Sequence, residues 1–574
     1  MANAILLPKI SYFKTPRSKS SLSLNPNSRI HEYISLCQGF QGWKYCNTKE
    51  DLTSKSFSNL KDLGRKRDWN VECDTVEVVS SRAEEHITLV TSDDYEYQPG
   101  TSPIEMLPLE ILRTIIQYLT TDIPLDSFTP KNTNLLSLLL TSRVMYSATV
   151  NELYSCVTIS QSRIFQSFFV HLTNHPSLGA LVKRLDFSSF NPTGAGMTAR
   201  ERAETLYLIP ETLNRCLELT PQLQEFLAQE HIHDDLDSKV IERLFCHHPR
   251  LKALDFTACS SPKFCEAFTS LVKSDPSPVL ATISVTRLCL HECTSLTASV
   301  YSFIIPKMPQ LTHLDVSHTQ ITDSALHSIA ETAQITHLNI SRCTHLTGAS
   351  VVDFILNHIA VKNLVYLNLA VDPKSHEMFD HDELTLLLSR LPKTLRSLNL
   401  KGSRMTPFHV PFLLPLSKHL EEIGLGRYLS LSDIIRILLP DKTLIAIDQI
   451  SWNPHTLRYI DISDLSGVQL DLITLFSMSC PLLKRMTEPL EVIEINAEVQ
   501  KRILGSKSSL QRFGWTINET GNRIWMMREN IDKVTDTGER MWKWGARNWG
   551  MRKIPVARAE ARGFYKYWMF KYAK

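Results

Sequence analysis

Between Pro309 and Thr347 the apolar positions are written twice. Leu311, Leu314 and Val316 recur as Ile335, Leu338 and Ile340, about 24 residues later. Each set alternates apolar and polar residues over a few positions, which predicts a short strand with one buried face. A turn and a stretch with helical spacing follow, such as Ser324, Ala325, Leu326, Ile329 and Ala330, or Val351, Val352, Phe354, Ile355 and Ile359. One unit of this size cannot bury its own apolar face, so it needs neighbours on both sides. Matching strands are expected from Leu181, Leu223, Leu251, Val285, Leu311, Ile335, Leu364, Leu395, Leu420 and Leu457, with weaker copies at Leu483 and Leu510.

Repeats of 20–30 residues on an L-x-x-L-x-L core are the signature of a leucine-rich solenoid. The expected fold class is therefore α/β, a parallel sheet with helices on the convex side, over residues 181–515. Upstream, the texture is different. Leu107, Ile111, Leu112, Ile115, Ile116 and Leu119 form one apolar stripe at helical period, with Pro108 near the helix start, where a missing N–H costs nothing. A second apolar run, Leu135 to Leu140, and a third ending Glu152-Leu153-Tyr154 complete a small all-helical segment at 101–160. A linker helix is expected at 161–180, ended by Pro176. Residues 1–100 are polar and Ser-rich and are expected to be mostly disordered. Their first 29 residues are basic, a composition shared by mitochondrial presequences and disordered tails.

The helical segment resembles an F-box. Leu107-Pro108-Leu109-Glu110-Ile111 and Tyr118-Leu119 match the family's first helix, and Leu135 to Arg143 its second. Tyr154 stands where the family often has Trp, and the first loop is longer than usual. The run Leu140-Thr141-Ser142-Arg143, followed by Tyr146-Ser147-Ala148-Thr149, is similar to fungal F-box proteins in particular. The repeats around 285–347 resemble the cysteine-containing leucine-rich type, with Cys293 and Cys343 each followed three residues later by Leu and then Thr.

The resemblance implies a non-catalytic subunit of a cullin-RING ubiquitin ligase of the SCF type. Its F-box would dock a Skp-family adaptor, and through it a cullin, by way of Leu107, Pro108, Ile111, Leu112, Ile115, Leu119, Leu138, Leu139 and Tyr154. Its repeats would hold a protein substrate for ubiquitin-dependent degradation. The alternative reading is a leucine-rich-repeat scaffold without a ubiquitin role, its N-terminal helices serving only as a cap.

Strand side chains alternate, so the third and fifth positions of each unit are expected on the concave face. The substrate-binding candidates there are Arg287, His313, His337, Tyr366 and Tyr459 at the third position. Asp315, Asn339, Asn368 and Asn399 occupy the fifth. An ordinary solvated sheet face is the competing reading. If the histidines meet an acidic substrate, protonation near their reference pKa of about 6.5 should favour binding. Cys259, Cys293 and Cys343 fall at the turn and are expected to be buried and inert.

Composition narrows the chemistry. The 574 residues carry a formal charge of +2, which gives no global field for nucleic acid or membrane. Gly is sparse, at 19 residues, and no phosphate-cradling glycine loop or hydrolase elbow is present. Twelve Cys without a C-x-x-C pair and the lack of a secretory leader imply reduced thiols in the cytosol or nucleus. Cys289-Leu290-His291-Glu292-Cys293 suggests a metal site at a glance, but no second ligand pair lies nearby. In His376-Glu377-Met378-Phe379-Asp380-His381 the second His is one residue too far for a zinc-binding helix. No cofactor is expected. Met541 to Lys574 holds nine Lys or Arg, one acid and many aromatics. Within 516–574 it reads as a cap on the last repeat or as an anionic-ligand surface.

Overall fold

The computed structural model describes residues 102–121, 133–187, 190, 207–273, 282–372, 377–439, 455–504, 507–520 and 523–528. The expected N-terminal disorder, and the basic aromatic run beyond Met541, lie outside these residues. Three helices open the described chain: α1 (Leu109–Thr121), α2 (Thr133–Leu139) and α3 (Arg143–Ser155). Ser142 starts α3 by accepting the Met145 N–H at 3.2 Å, the usual way a hydroxyl satisfies one of the orphan donors of a helix N-terminus. α1 and α2 both pack on α3. Their shared core is small: Leu112, Ile116, Leu135, Met145 and Ala148, with Leu109 and Leu138 at its edge.

α3 runs without a linker into β1 (Cys156–Thr158). β1 is the first of fourteen strands in one sheet among the described residues. It lies inside the stretch expected to be purely helical, because three residues are too few to show a period. α4 (Ser162–Asn174) then crosses to β2 (Arg184–Asp186). The parallel order continues through β3 (Glu225–Gln229), β4 (Ala253–Thr257), β5 (Arg287–Cys289), β6 (His313–Asp315), β7 (His337–Asn339) and β8 (Tyr366–Asn368). It ends with β9 (Ser397–Asn399), β10 (Glu422–Gly424), β11 (Tyr459–Asp461) and β12 (Val492–Ile495).

All ten of the stronger expected strands are present. The two weaker ones are corrected. No strand forms at Leu483; the twelfth unit is Leu490 to Ile495, which carries the same apolar spacing seven residues later. The segment after Leu510 is not a repeat. It leads into an antiparallel hairpin, β13 (Trp515–Thr520) and β14 (Arg523–Arg528), whose second strand pairs with β12.

The fold follows from the core positions. The fourth residue of each unit (Leu254, Leu288, Leu314, Leu338, Leu367, Leu398) is fully buried. Each such side chain is worth about 1.5–3 kcal/mol. At the N-terminal end Phe187 and Phe256 occupy the sixth position and Phe226 the fourth, and the Phe226 ring lies 5.8 and 6.3 Å from the other two. Phe165 of α4 joins this row at 6.1 Å from Phe187, tying the linker helix to the sheet.

Each strand ends where the chain must turn to the convex side. Ala258, Glu292, His318, Arg342 and Gly402 stand at that same place in five units, all with φ between 55° and 86°. The left-handed conformation disfavours a side chain, yet four of the five are not glycine. Convex helices such as Gly348–Asn357 and His381–Arg390 return the chain. The second is opened by a reciprocal cap: Glu383 N–H donates to Asp380 at 2.8 Å and Asp380 N–H to Glu383 at 2.9 Å.

Candidate functional site

On α1 the apolar stripe divides in two. Leu112 and Ile116, one turn apart, point into the small core and are 0% and 1% exposed. Leu107, Ile111 and Ile115, also one turn apart, lie on the other side and are 37%, 49% and 37% exposed. Pro108 is exposed beside them. A row of large apolar side chains left in water is the signature of a surface made to be covered. Ile104, Met106, Leu140, Val144 and Tyr146 are further exposed apolar residues of the same three-helix module. The sequence reading passed over these five because they fall outside the helical stripe.

The remaining members of the expected docking set are placed differently. Leu112 is core, because its position on α1 faces α3, so it cannot be a contact. Tyr154 is half-buried against the solenoid core, with its ring 6.3 Å from that of His171 on α4. It belongs to the seam between module and repeats. Leu138 and Leu139 are half-buried. Leu119 lies on α1, with its side chain outside the described residues.

The strand register is as expected: His313 pairs with His337, and His337 with Tyr366. The rings stack, at 4.1 Å for the histidines and 5.9 Å for His337 and Tyr366. The expectation of an open face does not hold. His337, Tyr366 and Tyr459 are buried, and so are Asp315, Asn339, Asn368 and Asn399. Only Arg287 and His313 are half-buried. Neighbouring strands stand about 4.8 Å apart, so broad rings in one column shield each other's faces. Tyr459 also donates its hydroxyl to Glu494 on the adjacent β12, two residues beyond its register partner Val492.

Arg287 is not an open cation. It reaches over Ala253, the small residue of β4, to pair with Glu225 on β3. Glu225 is also 3.6 Å from Arg184, which pairs with Asp186 at 3.1 Å. His313 does not titrate near neutrality: burial, then the nearby His337 and Arg287, hold its pKa well below the ordinary histidine value. The expected gain in binding as His313 protonates near pH 6.5 is therefore corrected.

The fifth-position column has a structural task. Oδ1 of Asp315 accepts the Ser317 N–H at 3.1 Å and the Ser317 hydroxyl at 2.5 Å. Asn339 holds Ser341 in the same way, at 3.3 and 2.8 Å. Asn368 and Asn399 accept the N–H groups of Ala370 and Lys401 at 3.1 and 3.0 Å. Asp255 and Asp461 cap Thr257 and Ser463. These Asx turns satisfy the amide two residues on, at the point where the strand ladder stops. The D/N-x-S/T spacing was legible, but reading the column only as a surface concealed it. Asn339 also donates to Asp315 across the ladder at 2.9 Å.

The thiols behave as their register predicted. Cys259, Cys293 and Cys343 are fully buried. The Cys293 thiol donates to the Phe256 carbonyl of the preceding unit at 3.0 Å, and that of Cys343 to the Val316 carbonyl at 3.1 Å. Burial raises Cys259 and Cys293 well above the usual thiol range and pushes Cys343 up to about 12. Such groups remain thiols at neutral pH and are poor nucleophiles. Among the described residues no cluster of His, Cys, Asp or Glu has the arrangement of a metal site. No helix among them is long and apolar enough to cross a membrane.

The chain is 29% identical over 336 residues to F-box protein YLR352W of Saccharomyces cerevisiae. The match covers 53% of this chain and 41% of that protein, so the chain spans about two fifths of its relative's length. Among solved structures it is similar to one described as the Rad7 and Elc1 complex in yeast, at 13% identity and a TM-score of 0.36. That alignment covers 73% of this chain and 96% of the other. No family model matches.

Proposed function

We propose that the protein is a non-catalytic, substrate-recognising subunit of a cullin-RING ubiquitin ligase of the SCF type. The observation that carries this reading is the exposed row Leu107, Pro108, Ile111 and Ile115 on a three-helix module with its own core. The module docks a Skp-family adaptor, which brings a cullin. The solenoid, joined to α3 without a linker, holds a protein substrate at a fixed distance from the charged enzyme, so that proximity supplies the rate. Similarity to a protein named as an F-box protein supports the same reading.

No catalytic residue of its own is required, and the buried thiols offer no acceptor for ubiquitin. A substrate meets the inner face first at Arg287 and His313, the two column members with accessible surface, and along the left-handed turns that form the rim. The complex works in the cytosol or nucleus, where its thiols stay reduced.

Co-expression of the full chain with a Skp-family adaptor and a cullin tests the assignment. Stoichiometric co-purification of all three is the expected outcome. A chain that folds but purifies without the adaptor contradicts it and leaves the scaffold reading.

A further inference from the structure

On the convex side, two neighbouring units enclose a cavity of about 200 Å³. The helix Pro210–Leu219 links β2 to β3, and the helix Ser238–Glu242, continued by a π turn at Arg243–His247, links β3 to β4. Leu213, Cys216 and Leu217 of the first and Val240, Ile241 and Leu244 of the second are buried in the solenoid core. The residues between them are left on the outer side, and Asn214, Lys239, Glu242, Arg243 and His247 line the cavity.

The π turn shapes this wall. In an α-helix four residues overshoot a full turn by about 40°. A π turn closes on the fifth residue, so each residue advances less, and positions four apart come closer to one line. Arg243 and His247 are four apart. Single π turns inside helices are rare and concentrate at functional sites.

The wall is rich in donors. Arg243 is fixed across the two units: its Nε donates to Oδ1 of Asn214 at 2.6 Å, and its Nη2 to Glu218 at 2.7 Å. Among the described residues these bonds leave Nη1 of Arg243 and the amide nitrogen of Asn214 without an acceptor, and both are donors. Lys239 and His247 are exposed and make no ion pair among the described residues. Glu242 is the acid of the lining, and Glu218 is shared between Arg243 and Arg215. Lys239, Arg243 and Arg215 therefore outnumber these two acids before His247 is counted. The buried His248 senses the same field: burial, then the Arg243 and His247 charges, push its pKa down to about 4.

The cavity is smaller than the roughly 300–1,000 Å³ of sites for drug-sized ligands, so it suits one small polar group. A phosphomonoester brings about −1.5 to −2 charge near pH 7 and three acceptor oxygens, enough to engage several donors at once. A carboxylate brings one charge and two oxygens. We propose that this cavity binds the phosphate group of a small soluble ligand, with Lys239, Arg243 and His247 as cationic contacts and Asn214 as a neutral donor. The site goes beyond the ligase reading and does not depend on it. The bound group bridges two units and stabilises their contact by mass action.

Calorimetric titration of the full-length protein with inorganic phosphate, glycerol 3-phosphate and acetate tests this. Both phosphates should bind at one site, and acetate about tenfold or more weakly. Lys239→Ala/His247→Ala removes exposed side chains, so the unfolding midpoint without phosphate should stay unchanged while phosphate binding weakens by about tenfold or more. Glu242→Gln removes the repelling charge and should tighten binding by about threefold or more. No saturable binding of either phosphate would overturn the proposal, as would acetate binding of equal strength. Binding that the double variant and Glu242→Gln both leave unchanged would overturn it too, as an adventitious ion only. Capture of the protein on phosphatidylcholine vesicles carrying phosphatidic acid, lost in the double variant, would assign the site to a lipid headgroup and overturn the soluble ligand.

Discussion

At the residue scale the inner face is a set of locked side chains. Asp255 shows the cost. Burial pushes its carboxyl up to about 6, against the hydrogen bonds from Thr257 that favour the ionised form. A carboxyl raised in the folded state binds its proton more tightly there than in the unfolded chain. Its contribution to stability is therefore present below the unfolded value, near 3.9, and is lost as pH rises through about 6. Asp255→Asn keeps the acceptor oxygen and never ionises. Between pH 4 and pH 7 the stability difference should move in the variant's favour, by up to about 3 kcal/mol, and be flat above. Thermal unfolding of both proteins across that range checks it; a difference independent of pH would contradict it. The turns offer a second check. Gly402 has φ 86°, and a Cβ there would strike the Val371 carbonyl oxygen. Gly402→Ala should cost about 2 kcal/mol or more in a denaturant titration, whereas Arg342→Gly, at the equivalent turn of another unit with φ 57°, should be near neutral. The apolar identity and register of these units could be read from spacing. Burial of the third and fifth columns could not, because it depends on what neighbouring strands place beside each ring and carboxylate.

At the scale of elements, ends were harder to read than middles. The units from Leu251 to Leu400 repeat one apolar pattern and each predicted strand is found. β1 is too short to have a period, and β12 was displaced because Leu482 and Leu483 imitate a repeat start. The hairpin was hidden because its alternation mimics another unit; its antiparallel course follows from a connection of only two residues between β13 and β14. Trp515 anchors that hairpin. It is fully buried, its indole N–H donates to the Leu483 carbonyl at 2.8 Å, and Arg528 lies 4.7 Å over its ring. Trp515→Ala should cost about 3–5 kcal/mol. Stability in a stacked array is carried by neighbour interfaces, so β12 should open before the central repeats. Exchange measurements should show faster amides at Val492–Ile495 and unchanged ones at His337–Asn339; uniform acceleration would contradict that picture.

At the scale of the molecule, two cores meet at one seam. The three-helix module has a small core of its own, and Tyr154 bridges from α3 to the solenoid. Motif resemblance located the module, but it merged two faces of α1 into one stripe. Helical spacing alone cannot say which of two adjacent rows meets α3. That division makes the docking claim testable, because one row can be changed without touching the other. Leu112→Ala should cost about 2–5 kcal/mol and weaken adaptor binding only through unfolding. The most direct test is the affinity of the full chain for a Skp-family adaptor, measured for wild type and for Leu107→Glu/Ile111→Glu, with the thermal unfolding of each recorded alongside. The account predicts that affinity falls by about 100-fold or more, as for central interface residues, while unfolding stays unchanged. An unchanged affinity in that folded variant would contradict it.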